Sequence, residues 1–284
     1  MTDLYREQFD PQNDFPIREK VDKYYVILFT ARCGSHLLGH RLHQTGKMGF
    51  PLEYFNPMNF KQWQKRFKTR GFEDTYRMIK RFRTSPNGCF GAKFRFDFYE
   101  TFRKKCKYDE VFPQAKHICI RREDILGQAV SLAKAKMTGK FISFQEPESD
   151  YTYDYEMIKK ALVSIVINNA RIKYFIAKTG LDCCEVTYEE LVNAPARVIN
   201  KIAKYLDVDL ESSLDLSYKS LPKKQGDERN MQFKERFIRE SKEGGKDKDL
   251  EQIWYLLPTS GRAYCRAAAK SFRERLMRVI GLGK

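Results

Sequence analysis

The sequence predicts an α/β fold in three layers, a central parallel sheet flanked by helices. Three observations predict it. Wholly apolar runs such as Tyr24-Tyr25-Val26-Ile27-Leu28-Phe29 are too short for helices and suit strands buried on both faces. These runs alternate along the chain with longer amphipathic segments, the pattern of strands joined by crossover helices. The first run passes through a Gly turn straight into a helical segment, which is one half of a βαβ unit.

Residues 1–22 read as a polar leader with Pro11 and Pro16. The first strand follows, then the turn Cys33-Gly34-Ser35 and a helix over 36–44 that carries Leu37, Leu38 and Leu42, with Ser35 as its expected N-cap. Residues 46–57 are a Gly- and Pro-rich loop, and 60–82 read as helix with Trp63, Phe67 and Met78 among its apolar positions. The second strand is expected at 89–94 and the third at 117–120. Helices at 125–137 and 155–178, a fourth strand at 182–186 and a helix at 195–206 with Pro195 at its start complete the pattern. Residues 241–249 read as a solvated linker before a basic helix at about 261–280. The expected organisation is thus a leader (1–22), one α/β domain (23–240) and a linker with a C-terminal helix (241–284).

Composition bounds the function. The 284 residues suffice for one large α/β domain or two small ones, and 42% hydrophobic with 14% aromatic residues excludes chain-wide disorder. A net charge of +16 favours an anionic partner: nucleic acid, a membrane surface or a phosphate-rich small molecule. No nucleic-acid-binding motif is present to support the first of these. The seven cysteines (Cys33, Cys89, Cys106, Cys119, Cys183, Cys184, Cys265) form no CxxC pair, so zinc-finger spacing is absent, and most lie in apolar runs that suit a reducing cytosol. Residues 1–20 lack the apolar core of a signal peptide, and no stretch reaches the ~18 apolar residues of a membrane span. A cytoplasmic protein, soluble or peripheral to a membrane, is expected.

The chemistry begins at Phe29-Thr30-Ala31-Arg32-Cys33-Gly34-Ser35-His36, between the first strand and the first helix. Backbone N–H groups converge in such a turn, the helix N-terminus adds about half a positive charge, and Arg32 adds a forked donor. The loop is no Walker A motif: it lacks the phosphate-binding Lys, and His36 stands where a Ser or Thr would hold Mg²⁺. That argues against an ATPase or kinase and for a shorter anion that needs no metal.

The block Tyr25-Val26-Ile27-Leu28-Phe29-x-x-Arg32-Cys33-Gly34-Ser35-His36-Leu37-Leu38, followed by Thr45-Gly46-x-x-Gly49-x-Pro51-x-Glu53-Tyr54-Phe55, resembles the trehalose 2-sulfotransferase family. That family belongs to a P-loop-like group of sulfotransferases dependent on 3′-phosphoadenosine-5′-phosphosulfate (PAPS). Cys33 and His36 depart from the family pattern, which has Ser and Thr there. Ile120-Arg121-Arg122-Glu123-Asp124 with Gln128-Ala129-Val130-Ser131 resembles a further block, as do Thr187-Tyr188-Glu189-Glu190-Leu191 and, more weakly, Lys223-Lys224-Gln225. The matched blocks spread over 24–240.

The resemblance implies PAPS as donor and 3′-phosphoadenosine-5′-phosphate (PAP) as product, with no metal. It implies that Arg32, Cys33, Gly34, Ser35 and His36 hold the 5′-phosphosulfate, that Arg122 and Ser131 hold the 3′-phosphate, and that Lys224 lies near the cofactor. Arg121 is the alternative to Arg122. Glu53 matches the family's catalytic Glu and is the expected base; Pro51, Tyr54 and Phe55 would strip it of water. His36 is the rival base, and Arg32 the expected stabiliser of the leaving oxygen. His36, His40 and His43 share a helix face, but no carboxylate or Cys completes a zinc set with them.

The implied acceptor is a carbohydrate or glycolipid hydroxyl, and the implied assembly a homodimer. Phe141, Phe144, Tyr151, Tyr153 and Tyr155, with Glu146, Glu148 and Asp150, suit sugar stacking and hydroxyl binding, or equally an acidic surface loop. Arg262, Arg266, Lys270, Arg273, Arg275 and Arg278 beside Phe272, Leu276 and Ile280 make the C-terminal helix basic and amphipathic. It packs its apolar side inward or docks on an anionic membrane. Two other classes remain: a non-catalytic nucleotide-binding relative and a basic nucleic-acid-binding protein.

Overall fold

The computed structural model describes residues 6–139, 151–210 and 228–243. The chain divides into two compact units, Met1–Met231 and Gln232–Lys284. In chain order the elements are β1 (Lys23–Phe29), α1 (Ser35–Gln44), α2 (Pro57–Phe67), α3 (Phe72–Arg83), β2 (Cys89–Arg95), α4 (Phe96–Lys105), α5 (Tyr108–Val111), β3 (Lys116–Arg121), α6 (Ile125–Thr138), α7 (Tyr155–Thr179), β4 (Cys183–Thr187), α8 (Tyr188–Asn193), α9 (Pro195–Tyr205) and α10 (Glu228–Glu243). The C-terminal helix expected at 261–280 lies outside the described residues.

The four described strands form one parallel sheet in the order β2-β1-β3-β4. Side chains alternate across each strand, and this builds two cores. Val26, Leu28, Phe90, Ala92 and Phe94 face Trp63, Ile79, Tyr99 and Phe102 of α2, α3 and α4. Tyr25, Ile27, Phe29, Ile118, Ile120 and Val186 face Leu38 and Leu42 of α1, Leu191 of α8 and Val198, Ile199 and Ile202 of α9. The expected three-layer α/β fold is therefore the observed one. Because β1 is followed on one side by β2 and on the other by β3, the chain reverses direction across the sheet at the carboxyl end of β1. Open α/β sheets bind ligands at such a reversal.

Two local expectations are corrected. Residues 60–82 are two helices rather than one: Lys68 leaves α2 with φ +52° and the Thr69 N–H closes back on the Gln64 carbonyl at 3.1 Å. Apolar spacing continues through both helices and masks the break, which Gly71 at the cap of α3 and the acidic Glu73 and Asp74 in its first turn mark. Ser35 is not the cap of α1 but its first residue; Gly34, with φ +89°, is the cap and makes no side-chain capping bond.

The described part of the leader is tied to the core through Arg83, whose side chain is wholly buried. Its guanidinium donates to the carbonyls of Gln8 (2.7 Å), Asp10 (3.4 Å) and Asn13 and lies 3.2 Å from Asp14, which also pairs with Arg66. The rings of Phe50 and Trp63 pack against the same guanidinium. Removing one member of a buried ion pair leaves the other charge uncompensated. Arg83→Ala is expected to lower stability in urea titrations by about 3 kcal/mol or more.

Burial holds His43 and His117 at a pKa of about 4. The Tyr108 and Tyr99 hydroxyls lie 2.8 and 3.1 Å from His117 Nε2. An unfolded histidine takes up its proton near pH 6.5, so between about 6.5 and 4 the unfolded chain binds more protons than the native one. Stability should fall as pH drops through that window, and His117→Gln should flatten the fall, as thermal unfolding across pH would measure.

Candidate active site

The turn after β1 is built from two residues in left-handed backbone, Arg32 (φ +66°) and Gly34 (φ +89°). For Gly34 this conformation is unstrained; for Arg32 it costs about 1 kcal/mol. The turn opens the N-terminus of α1, whose first turn holds no acidic residue to compete with a bound anion. Gln128 of α6 fixes the turn from below: its Nε2 donates to the Ala31 carbonyl (2.7 Å) and to Thr30 Oγ1 (3.0 Å). Thr30 in turn donates to Asn169 of α7 at 3.1 Å. Arg32 Nε donates to Ser131 Oγ at 3.0 Å, which joins two expected anion-binding residues 99 positions apart in sequence.

Cys33 enters the site only through its backbone. Its side chain is wholly buried among apolar neighbours, and burial pushes the thiol up to about 12. Ser35 is buried at the first position of α1.

The loop over 46–57 reaches the sheet at one point. Leu52 forms an isolated parallel bridge to Ala92, and the Lys93 N–H donates to the Leu52 carbonyl at 2.9 Å. Gly39 makes this approach sterically possible, since a Cβ there would lie 2.7 Å from the Pro51 carbonyl oxygen. Glu53 is thereby set beside Lys93, with Oε1 3.8 Å from Nζ, and its carbonyl accepts from Asn59 Nδ2 at 3.0 Å. Tyr54 and Phe55, expected to shield Glu53, instead turn into the core. The group set against Glu53 is a buried ammonium.

Lys93 alternates onto the α1 side of β2, and its Nζ lies 3.4 Å from His36 Nδ1. An ammonium has only hydrogens to offer, so Nδ1 accepts and the remaining N–H sits on Nε2. That nitrogen is 3.1 Å from His40 Nε2. Both ring nitrogens of His36 are thus engaged by protein. Burial first, then the cations Lys93 and Arg32, hold its pKa well below the usual histidine range, so the ring is neutral.

Arg122 follows β3. Its guanidinium lies 3.5 Å from Asp124 and 3.9 Å from Glu189, and its carbon sits 5.0 Å from the centre of the Tyr188 ring. Its Nε is buried without a hydrogen bond among the described residues. Arg121 pairs instead with Glu185 at 3.9 Å, and half its side chain is exposed. Lys224, Phe141, Phe144, Glu146, Glu148 and Asp150 lie outside the described residues.

Sequence reasoning missed Lys93 and Tyr188 as members of the site. A lone Lys inside the apolar run Cys-Phe-Gly-Ala-Lys-Phe was the available signal, because a lysine is almost never buried without a partner. Three cations and a helix N-terminus thus gather at the sheet's carboxyl edge next to a carboxylate, an arrangement suited to group transfer from an anionic donor.

The family follows from comparison. The model of the Stf0 sulphotransferases matches residues 24–240, most of the chain. The chain belongs to the Stf0 sulphotransferase family, a PAPS-dependent sulfotransferase family, as its motifs implied. Among solved structures it is similar to the sulfotransferase domain from the curacin biosynthetic pathway, with 18% identity over 73% of this chain and 80% of that one and a TM-score of 0.40. It is also similar to the sulfotransferase domain from the Synechococcus PCC 7002 olefin synthase, with 16% identity over 78% and 97% and a TM-score of 0.42. Mouse sulfotransferase SULT7A1 complexed with PAP gives 15% identity over 82% and 70% and a TM-score of 0.40. A search of curated proteins gave no match.

Replacing Lys93 by Met keeps the stem and removes the charge. With one of its two cationic neighbours gone, His36 should titrate higher by NMR while staying below the ordinary histidine range, because burial is the larger cause.

Proposed function

We propose that this enzyme moves a sulfuryl group from PAPS to a hydroxyl of a carbohydrate or glycolipid, with Glu53 as general base. The observation that carries the reading is the meeting of Glu53, Lys93 and His36 beside the Arg32 turn. The residues fit the donor: Gly34 and the α1 N-terminus offer backbone donors, and Arg32, Lys93 and Arg122 supply the charge for two phosphate-type groups. PAPS supplies the activated sulfuryl group and PAP leaves.

The chain's own residues bind, orient and move the proton. The turn from Arg32 to His36 holds the 5′ end through its backbone and Arg32. Arg122 and Ser131 hold the 3′-phosphate, and Lys224 joins them by resemblance. Ser131 is bonded to Arg32, so it links the two anion sites. Glu53 takes the proton of the acceptor hydroxyl. His36 is the weaker candidate for that task, since a neutral ring flanked by two cations does not retain a proton. Lys93 and Arg32 face charge that develops on the oxygen between sulfur and phosphorus.

The carbohydrate acceptor is supported by the resemblance of residues 45–55 to the trehalose 2-sulfotransferases. A cytoplasmic setting is supported by the cysteines, all six described ones being free thiols. A homodimer is supported by the resemblance alone. Among the described residues no helix is long and apolar enough to cross a membrane; the membrane contact proposed for the C-terminal helix concerns residues outside them.

Calorimetry with PAP tests the reading. The parent should bind, Arg122→Ala should lose most of the affinity, and Glu53→Gln should keep it. Sulfation of a panel of sugars and glycolipids should fall by roughly 10²–10⁴ in Glu53→Gln. A folded parent that does not bind PAP overturns the proposal.

A further inference from the structure

His36 and His40 lie one turn apart on the same side of α1. Their rings meet edge to face with centres 4.6 Å apart, and their Nε2 atoms lie 3.1 Å apart. The Phe50 ring backs His40, edge to face at 5.1 Å, and Phe50 belongs to the same loop as Glu53. At the other end of the pair, His36 Nδ1 lies 3.4 Å from Lys93 Nζ. Lys93 is buried and paired in register with Ile27, and its ammonium stands 5.6 Å from the centre of the Phe29 ring. A continuous line of contacts thus runs from the Glu53 loop through both histidines to the ammonium beside Glu53 itself.

An ammonium only donates, so Nδ1 of His36 accepts, and the neutral ring carries its proton on Nε2 and donates it to His40 Nε2. Lys93 and His40 therefore select the same tautomer: one takes the lone pair, the other the proton. A neutral acceptor orients the ammonium without cancelling its charge, as a carboxylate at the same distance would. We propose that His36, braced by His40, is a positioning residue that aims the Lys93 ammonium at the oxygen on which charge develops during sulfuryl transfer. The inference rests on the transfer reaction proposed above. As the sulfur–oxygen bond to the 5′-phosphate breaks, its electron pair stays on that phosphate oxygen; the acceptor oxygen bonds sulfur and its proton passes to Glu53. A Thr in place of His36, as in the family pattern, ends one atom beyond Cβ and falls short of the Nδ1 position, so the brace comes with this chain's own histidine.

Two readouts on the full chain test this. The first needs no donor: imidazole nitrogen NMR shifts should place the His36 proton on Nε2. The second is release of PAP from PAPS at saturating donor with water as acceptor, PAPS going to PAP and sulfate, beside calorimetry with PAP. His36→Leu should slow release by roughly tenfold to a hundredfold, the cost of a misplaced reacting group. It should keep PAP affinity within about twofold, as an uncoupled site does. His36→Asn, whose Oδ1 takes the place of Nδ1, should recover most of the lost rate. The double variant His36→Leu/Lys93→Met should be no slower than Lys93→Met alone, because the ring acts through the lysine. Thermal unfolding checks that each variant is folded. If His36→Leu is not, His40→Phe carries the comparison: it keeps a ring against Phe50 but no acceptor, and should slow release about threefold or more.

A His36 proton on Nδ1, the parent's rate in the folded variant that carries the comparison, or additive losses in the double variant would overturn the inference. So would a loss of PAP affinity in His36→Leu as large as its loss of rate, which would mean that the ring holds the donor directly. If instead the parent binds no PAP, or binds it and releases none from PAPS, the transfer reading itself has failed and the inference with it.

Discussion

The turn between β1 and α1 exists only because Gly34 carries no side chain. Its left-handed backbone points the start of α1 at the sheet's edge, and the Tyr188 ring occupies the space a Cβ would need. Arg32 takes up the same left-handed region without a glycine's freedom. That strain is modest, about 1 kcal/mol, and is offset by bonds that converge on the turn. Gln128 holds its carbonyl and Ser131 holds the guanidinium itself. One helix far from β1 in sequence, α6, therefore decides where this turn stands.

Among the described residues two cations, Arg83 and Lys93, are buried, and their surroundings differ. Arg83 is held by carbonyls, Asp14 and aromatic faces, so it serves as an anchor for residues 8–14. Lys93 is nearly as buried, but its neighbours are a neutral histidine, the Phe29 ring and a carboxylate at the long distance of 3.8 Å. His36 completes the arrangement by staying neutral: it accepts from Lys93 and adds no competing charge.

Departures from the family pattern become intelligible in this setting. Cys33 replaces a Ser that would have been buried among apolar residues, where a thiol behaves as a small hydrophobe. His36 replaces a Thr, and its ring reaches across to Lys93 and His40 instead of toward the turn. Neither change disturbs the backbone donors of the turn, which depend on Gly34 and on the helix that follows.

The strands were legible because each is an unbroken apolar run, and burial on both faces of a parallel sheet needs nothing else. The anion turn was legible because a strand, a Gly and a helix start lie next to one another in the chain. The break after Lys68 was overlooked because apolar spacing runs through it, although Gly71 and the acidic Glu73 and Asp74 mark the start of α3. Glu53 and Arg122 were named from motifs, yet what each faces was not: 40 positions separate Glu53 from Lys93, and 66 separate Arg122 from Tyr188. By itself the sequence determined the four strands, the parallel sheet and the strand–turn–helix at Gly34, all of which are set by neighbours along the chain. Tertiary structure alone decided that a lysine rather than an apolar wall confronts Glu53, and that the Tyr188 ring lies against both Gly34 and Arg122, because strand register and loop docking, which no local pattern encodes, bring those side chains together.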